Sequence, residues 1–468
     1  MNISSLLLTC GAAAFALTGC KVGPDFKGAP AQDLPATWAN KLPPATDSES
    51  LVKWWNLFGD NQLSNLIEEG LAANPDTIMA ALSIKEAESS AKIAGAALLP
   101  AVSAGASQTT SPSGGFRSTS HGEWSASANA SWELDLFGGN RRNIEAALAN
   151  LHSTQASAGA VQTALTANIA SAYFDWIEAK ESLRIAKAQL EYQKKTLDIV
   201  RRRHSAGLEA KLDLEQSLSQ VASTESSIPA QEAAIKTAEN TLAVYLGTHM
   251  SRINLHMPSE AVYNRIPSVP VGLPSELLRR RPDIIQAEAT LHQATANVGV
   301  AVADLFPKIS LTGSASTSGG SDFTGFFRER RSTWSLGGSL SQNIFQGGSL
   351  LEQIRLRKTE VANAEESYRK AVLDALSEVE TCLINYAQVM LQIPLYEAQE
   401  KSDAEAARLS LQLYNAGETD FLNVVTAQQS WLSSQLQLVT ARQSVRQNLA
   451  NLCKVLGGGW DSSRVTAR

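Results

Sequence analysis

From Asn140 to Ser205 the chain runs without a proline or a turn cluster. Apolar or small residues recur there at helical spacing, among them Ile144, Leu148, Leu151, Ala158, Val161, Leu165, Ile169, Ala172, Trp176, Leu183, Leu190, Leu197 and Val200. About 65 residues at 1.5 Å each make a helix of roughly 95 Å. No single globular domain holds such a helix, so the spacing predicts a coiled-coil-like rod. Ser205-Ala206-Gly207 ends it as a left-handed glycine cap would. A second helix is predicted to return through Leu212, Leu218, Val221, Ile235 and Leu242 to Leu246-Gly247, kinked or broken at Pro229.

The same pattern occurs twice. Asn74-Pro75-Asp76 corresponds to Arg281-Pro282-Asp283, and Leu98-Leu99-Pro100 to Leu305-Phe306-Pro307, both at an offset of 207. Between Pro274 and Pro307 a helix is expected through Leu277, Leu278, Ile284, Ala287, Leu291, Ala294 and Val298. The second long helix runs through Ile354, Val361, Tyr368, Val372, Leu376, Val379, Leu383, Tyr386 and Met390. Pro394 is expected to interrupt it before Tyr414-Asn415-Ala416-Gly417. A last helix extends from about Asp420 to Leu456-Gly457. Two long copies of one unit, rather than a solenoid of short modules, follow from this repeat.

Each copy also holds two alternating segments. Trp124, Ala126, Ala128, Ala130, Trp132, Leu134 and Leu136 alternate with Ser125, Ser127, Asn129, Ser131, Glu133 and Asp135. Ile309, Leu311, Gly313 and Ala315, then Trp334, Leu336, Gly338 and Leu340, alternate likewise with serines, threonines and glycines. An apolar face with tryptophans near both ends is that of a transmembrane β-strand. A half-buried strand of a soluble sandwich is the alternative. Trp124, Trp132, Leu134, Leu136, Trp334, Leu336 and Leu340 are the expected lipid-facing residues. Four strands cannot close a membrane barrel, and open edges in lipid leave backbone groups unpaired. Subunits must then share one barrel. Eight strands from two chains would be nearly filled by side chains, whereas twelve from three leave a passage.

P-S-E-L-L-R-R-R-P-D-I at 274–284 and L-F-P-K-I-S-L-T-G at 305–313 resemble the fingerprint of the TolC-like outer-membrane efflux proteins. The likeness is to their OprM/NodT-like lipoprotein branch, the outer-membrane factors of tripartite RND-type efflux systems. It extends over nearly the whole chain. It implies a mainly α fold with a small β part: a two-fold internal repeat, long helical hairpins, and four strands per chain in a 12-stranded barrel shared by a homotrimer. It also implies passive conduction of small molecules such as drugs, fed by a periplasmic adaptor and an inner-membrane pump of RND type. The positions that would meet the adaptor are Ala206, Gly207 and Leu208 on the first tip and Ala416, Gly417 and Glu418 on the second. Those that would form the periplasmic aperture are Asp213, Thr419, Asp420, Asn423 and Thr426. Where relatives of this kind carry aperture aspartates the chain has Asn423 and Thr426, and Thr419 stands in place of a basic residue. An uncharged gate, or one whose charge comes from Asp420, and a weaker electrostatic latch are the expectations.

The remaining segments fit that frame. Residues 1–19 read as a signal peptide, and Leu17-Thr18-Gly19-Cys20 resembles a lipobox, which would make Cys20 the lipidated N-terminus. Lys21, rather than an aspartate, follows it, which the likeness associates with the outer membrane. Residues 20–50 read as a lipid-anchored tether, with K-V-G-P-D-F at 21–26 again like that branch. The first repeat is expected over 51–247, with strands at about 101–137 and a hairpin at about 140–247. A connector follows at 248–273. The second repeat covers 274–457, with strands at about 308–345 and a hairpin at about 348–457, and 458–468 is a flexible tail. Trp54-Trp55 reads as the packed start of a helix, with a binding role as the alternative.

A net charge of −6 carries no basic nucleic-acid footprint, and beyond residue 20 no apolar run is long enough for a spanning helix. Cys382 and Cys453 read as small buried residues, and Cys10 lies in the leader. His249-Met250 and His256-Met257 suggest a soft-metal site, but two His and two Met in an irregular loop are weak evidence and the other histidines are scattered with no ligand-like spacing, so no metal is expected. No hydrolytic, redox or phosphate-binding constellation is present, so no catalytic residue and no cofactor beyond the lipid on Cys20 are expected. Two other functions share parts of this pattern: the exit duct of a type I protein-secretion system, and a periplasmic coiled coil with no pore.

Overall fold

A computed structural model describes residues 21–39, 51–112, 120–267, 272, 274–320, 323–328 and 331–461. The predicted leader, Cys20, the second part of the tether and the end of the tail lie outside the described residues. The main elements are α1 (Asn61–Ala73), α2 (Pro75–Ala96), β1 (Ala101–Pro112), β2 (Ser120–Leu134), α3 (Gly139–Ser205), α4 (Lys211–Tyr245), α5 (Pro282–Ala303), β3 (Lys308–Gly319), β4 (Arg331–Ser341), α6 (Ser349–Ala416) and α7 (Phe421–Val455). The fold is mainly α, and the repeat is exact in length for two pairs. Helices α2 and α5 each have 22 residues, offset by 207, and α4 and α7 each have 35, offset by 210. At 67 and 68 residues, α3 and α6 are each about 100 Å long.

Local rules about proline fail at two positions and hold at a third. Pro229 and Pro394 lie inside α4 and α6, which continue through them instead of breaking. Both prolines are exposed. On the outer face of a helix, the carbonyl that a proline leaves unpaired can reach solvent. The packed residues on either side then hold the helix against a cost of roughly 3 kcal/mol. At Pro282 the opposite happens. The helix expected from Pro274 onward is broken, because Arg281 is extended (ψ 123) between the short turn Leu277–Arg280 and α5. A residue before proline is pushed out of the helical region. A short helix, Phe323–Arg328, between β3 and β4 carries no periodicity long enough to read from sequence.

The chain forms two compact units. The first comprises residues up to 31, 83–155 and 286–370. Its centre is an antiparallel sheet in the order β1-β2-β3-β4. Pairs such as Val102↔Ala130, Ala130↔Gly313 and Gly313↔Leu336 keep all apolar alternates on one face. The other face is a hydroxyl ladder. Ser107–Ser125, Ser310–Ser339, Ser314–Ser335 and Ser316–Thr333 are paired at 2.7–2.8 Å across neighbouring strands. At the foot of each hairpin one side chain reaches back to the preceding helix end. Trp132 Nε1 donates to the Leu98 carbonyl (2.9 Å), and Gln342 Nε2 to that of Leu305 (3.4 Å). The 210 offset of the second strands and the 207 offset of the helix ends thus recur in side-chain contacts.

Residues 21–26 are seated in the same unit. Arg142, fully buried, donates to the Val22 and Gly23 carbonyls and to Asp25. Glu145 accepts from Arg142 and His292 and pairs with Lys21, while Phe26 stacks on His292 at 4.4 Å. Burial pushes the Glu145 carboxyl up, but the bonds from Lys21, His292 and Arg142 outweigh it and hold it at about 2.

The second unit comprises 32–82, 156–285 and 371 onward. Trp54 and Trp55 are buried with Phe58, Leu63 and Ile67, and Phe58 meets Phe174 of α3 at 5.1 Å. They are core residues. In each repeat the residue before the proline clamps the end of its own hairpin. Asn74 Nδ2 donates to the Tyr245 carbonyl (2.9 Å), and the Arg281 guanidinium to that of Val455 (3.1 Å). Asn74 also caps α2 by accepting from the Asp76 and Thr77 amides, whereas Arg281 is held by Asp283 and Glu378. No described helix is long and apolar enough to cross a membrane.

Candidate functional site at the hairpin tips

Both long helices end in the same motif. The Gly207 amide bonds the His204 carbonyl and the Leu208 amide that of Arg203, each at 2.9 Å. Gly417 and Glu418 repeat this with Tyr414 and Leu413. Both glycines have left-handed φ, 72° and 81°, which a side chain would strain. Ala206, Gly207 and Leu208, and Ala416, Gly417 and Glu418, are thereby held exposed, with Leu208 at 70%.

Behind the tips lies a small apolar cluster of Val200, Tyr414, Phe421 and Val424. Arg203 ties one tip to the other across it. It pairs with Glu209 (2.9 Å), donates to the Tyr414 and Asn415 carbonyls (3.1 and 3.4 Å), and lies over the Tyr414 ring at 4.8 Å. His204 Nδ1 meets the Glu209 carbonyl at 3.0 Å. Burial, with the Glu209 carboxylate nearby, pushes the Tyr414 phenol up, so it stays neutral. Burial pushes the Asp213 carboxyl up as well, and Glu209 and Asp420 add to it by charge repulsion.

The proposed aperture residues fall into separate groups. Asp213 is half-buried in this acidic set, and Asp420, at the cap of α7, is exposed. Thr419 accepts from Asn423 Nδ2 (2.8 Å), so its hydroxyl is engaged within its own tip and not by Asp213. Thr426 is exposed, one turn further along, and donates to the Leu422 carbonyl (2.9 Å). The residues that link the tips, Arg203, Glu209 and Tyr414, are not among those the sequence singled out. One signal was available: Tyr414 occupies the position that His204 holds in the first copy, so the two tips differ where the repeat otherwise agrees.

Among the expected lipid-facing positions, Trp334, Leu336 and Leu340 are strongly exposed, with Trp334 at 82%. Trp124, Trp132 and Leu134 are half-buried on the same face of the sheet. Leu136 lies beyond the end of β2, where its amide turns back to the Leu134 carbonyl. It lines a cavity of about 200 Å³ at the strand foot with Phe137, Asn140, Val300 and Pro307.

The family description "Outer membrane efflux protein" matches residues 66–248 and 273–458. The chain belongs to that family. This outer membrane efflux protein is 33% identical over 444 residues to the pyoverdine export outer membrane protein OpmQ of Pseudomonas aeruginosa, covering 92% of each chain. It is 30% identical over 463 residues to the cation efflux system protein CusC of Escherichia coli, covering 98% of its own length and all of CusC. Among solved structures it is similar to the outer-membrane channel OprN, with a TM-score of 0.82 and 30% identity over 94% of this chain and all of that one. The matched ranges coincide with the two copies, so the repeat is the family's own unit.

Proposed function

We propose that this protein is the exit duct of a tripartite efflux pump, a homotrimer that passively conducts small molecules across the outer membrane. The sheet carries this reading. It has one apolar face, one hydroxyl face, and edge strands β1 and β4. In lipid each unpaired edge group costs several kcal/mol, so the edges need a partner, and the repeat supplies one. Applying the two offsets to Ala130↔Gly313 places Leu340 opposite Ala106 of the next copy. The same step places Ile344 opposite Val102, and these are 89% and 75% exposed in the single chain. The names of its relatives support the same function: OpmQ is a pyoverdine exporter and CusC a cation efflux protein.

In this reading the lipid on Cys20 anchors the chain beside the barrel. The seat of residues 21–26 supports that, since the Val22 amide bonds the Phe137 carbonyl at the strand foot (3.1 Å). The exposed tips at 206–208 and 416–418 meet a periplasmic adaptor, which connects them to an inner-membrane transporter of RND type. The pump does the work, and the duct supplies a passage.

Two measurements test this. Directly opposed residues on neighbouring strands are about 5 Å apart, within disulfide reach. Oxidising a chain with Leu340→Cys and Ala106→Cys should give a covalent trimer that collapses under reductant, with neither single variant doing so; a ladder stopping at dimer would refute the trimer. A photoreactive amino acid at Glu418 should capture the adaptor of a small-molecule pump. Capture of a protein-secretion adaptor instead would overturn the small-molecule reading.

A further inference from the structure

We propose that residues 457–460 are a closing strap: they dock in a slot formed by earlier parts of the chain, and only a chain closed in this way enters the trimer. The tail expected to be flexible from residue 458 is packed as far as Trp460. Gly458 and Gly459 are buried, and Trp460 is 6% exposed. Three glycines carry no periodicity from which such packing could be read. α7 ends in a glycine cap, in which the Gly457 amide bonds the Lys454 carbonyl (3.0 Å) and the Gly458 amide that of Cys453 (2.8 Å). Gly457 and Gly459 both have left-handed φ, 77° and 88°. The Gly459 amide then bonds the Leu51 carbonyl (3.1 Å), and Trp460 Nε1 donates to that of Arg280 (2.8 Å).

The slot is the decisive part. The Trp460 ring lies against Gly159 of α3, where a methyl group would fall 2.3 Å from it. Glycine weakens a helix interior relative to alanine, and this one stands among Ala156, Ala158 and Ala160. About two turns along α3, the buried Thr166 hydroxyl sits so close to Gly459 that a side chain there would fall 2.6 Å from it. Leu51 and Trp54, both buried, close in on Gly458, where a side chain would fall 2.8 Å from the Leu51 carbonyl and 3.1 Å from the Trp54 ring. Leu51, Trp54, Gly159, Thr166 and Arg280 all precede α6 and α7 in the chain. The slot is therefore empty until the second hairpin has been made and folded back. The first copy has the same cap at Gly247 and Thr248 but no strap: Met250, at the position of Trp460, is half-buried in a short turn. Docking thus marks a chain with both hairpins in place, which is what a subunit sharing a barrel must have. The docking itself concerns the single chain; its effect on assembly rests on the trimeric reading.

The test uses the full-length protein in detergent with Gly159→Ala, Trp460→Ala and both together. Two quantities are read: the half-life under protease, and the yield of covalent trimer through Leu340→Cys and Ala106→Cys. Alanine is the better helix former, yet Gly159→Ala alone should lower both at least fivefold, because its methyl group takes the place of the ring. In Trp460→Ala the ring is gone, and the same substitution should be neutral or favourable. Two independent losses of packing would add instead of reversing. Millimolar indole should restore Trp460→Ala at least halfway and leave the double variant unchanged. Trp460→Phe is the milder background should Trp460→Ala fail to accumulate, and there Gly159→Ala should cost less than in the unsubstituted chain. A Gly159→Ala effect of one size in every background, or no response of Trp460→Ala to indole, would overturn the strap, as would a trimer yield that ignores a shortened half-life. A reversal in half-life with no covalent trimer from any chain, the unsubstituted one included, would retain the docking and remove the trimer.

Discussion

Arg203→Ala should open the tips. The guanidinium holds Glu209, two carbonyls of the second hairpin and the face of Tyr414, and it is the residue through which the end of α3 grips the end of α6. Hydrogen bonds to charged groups contribute about 1.5–3 kcal/mol each where they are shielded. Arg203 is partly exposed, which reduces that figure. A net loss of about 2 kcal/mol raises the ratio of parted to closed tips roughly thirtyfold. The expected results are a higher mean conductance in planar bilayers and greater sensitivity of cells to antibiotics too large for ordinary porins. Glu209→Gln should show the same direction at smaller size, since it leaves the carbonyl bonds intact. The double variant should do little more than Arg203→Ala alone, because both act on one contact. Conductance equal to the unsubstituted protein in all three variants would show that the clasp does not govern opening.

That clasp marks the limit of what the sequence discloses. The long helices and the alternating strands were legible because periodicity is a local property, and α2 and α5 begin at the prolines that the 207 offset identified. Prolines at 229 and 394 misled because a local rule about backbone bonding was overruled by packing along the whole helix. Arg281 shows the reverse: the rule for residues before proline held, and its consequence, a broken helix and a guanidinium free to clamp Val455, was missed behind a continuous apolar pattern. The Arg203–Tyr414 contact joins residues 211 apart in sequence, and nothing in either segment alone names the other.

A second large effect is expected one turn inside the second tip, at Thr426. Its side chain is exposed and bonded only to its own helix, and Asn423 is exposed beside it. In the proposed trimer three copies place three neutral side chains at this level of the aperture, so no fixed charge there repels or gathers ions. Thr426→Asp would add three carboxylates. Two unit charges about 6 Å apart at an effective dielectric near 20 repel by about 3 kcal/mol, a repulsion that a divalent cation bound among them would relieve. The unsubstituted channel should therefore conduct equally with and without millimolar magnesium. The variant should lose at least tenfold in conductance on adding it and recover on chelation. Lost backbone bonding from Thr426 cannot produce this result, since Thr426→Ala removes the same bond and should remain insensitive. If Thr426→Asp conducts independently of magnesium, the side chain does not face the narrow part of the duct. An unsubstituted channel that already responds to magnesium, with the response lost in Asp420→Asn, would instead locate the aperture about one and a half turns closer to the tip, at the acidic and exposed cap of α7.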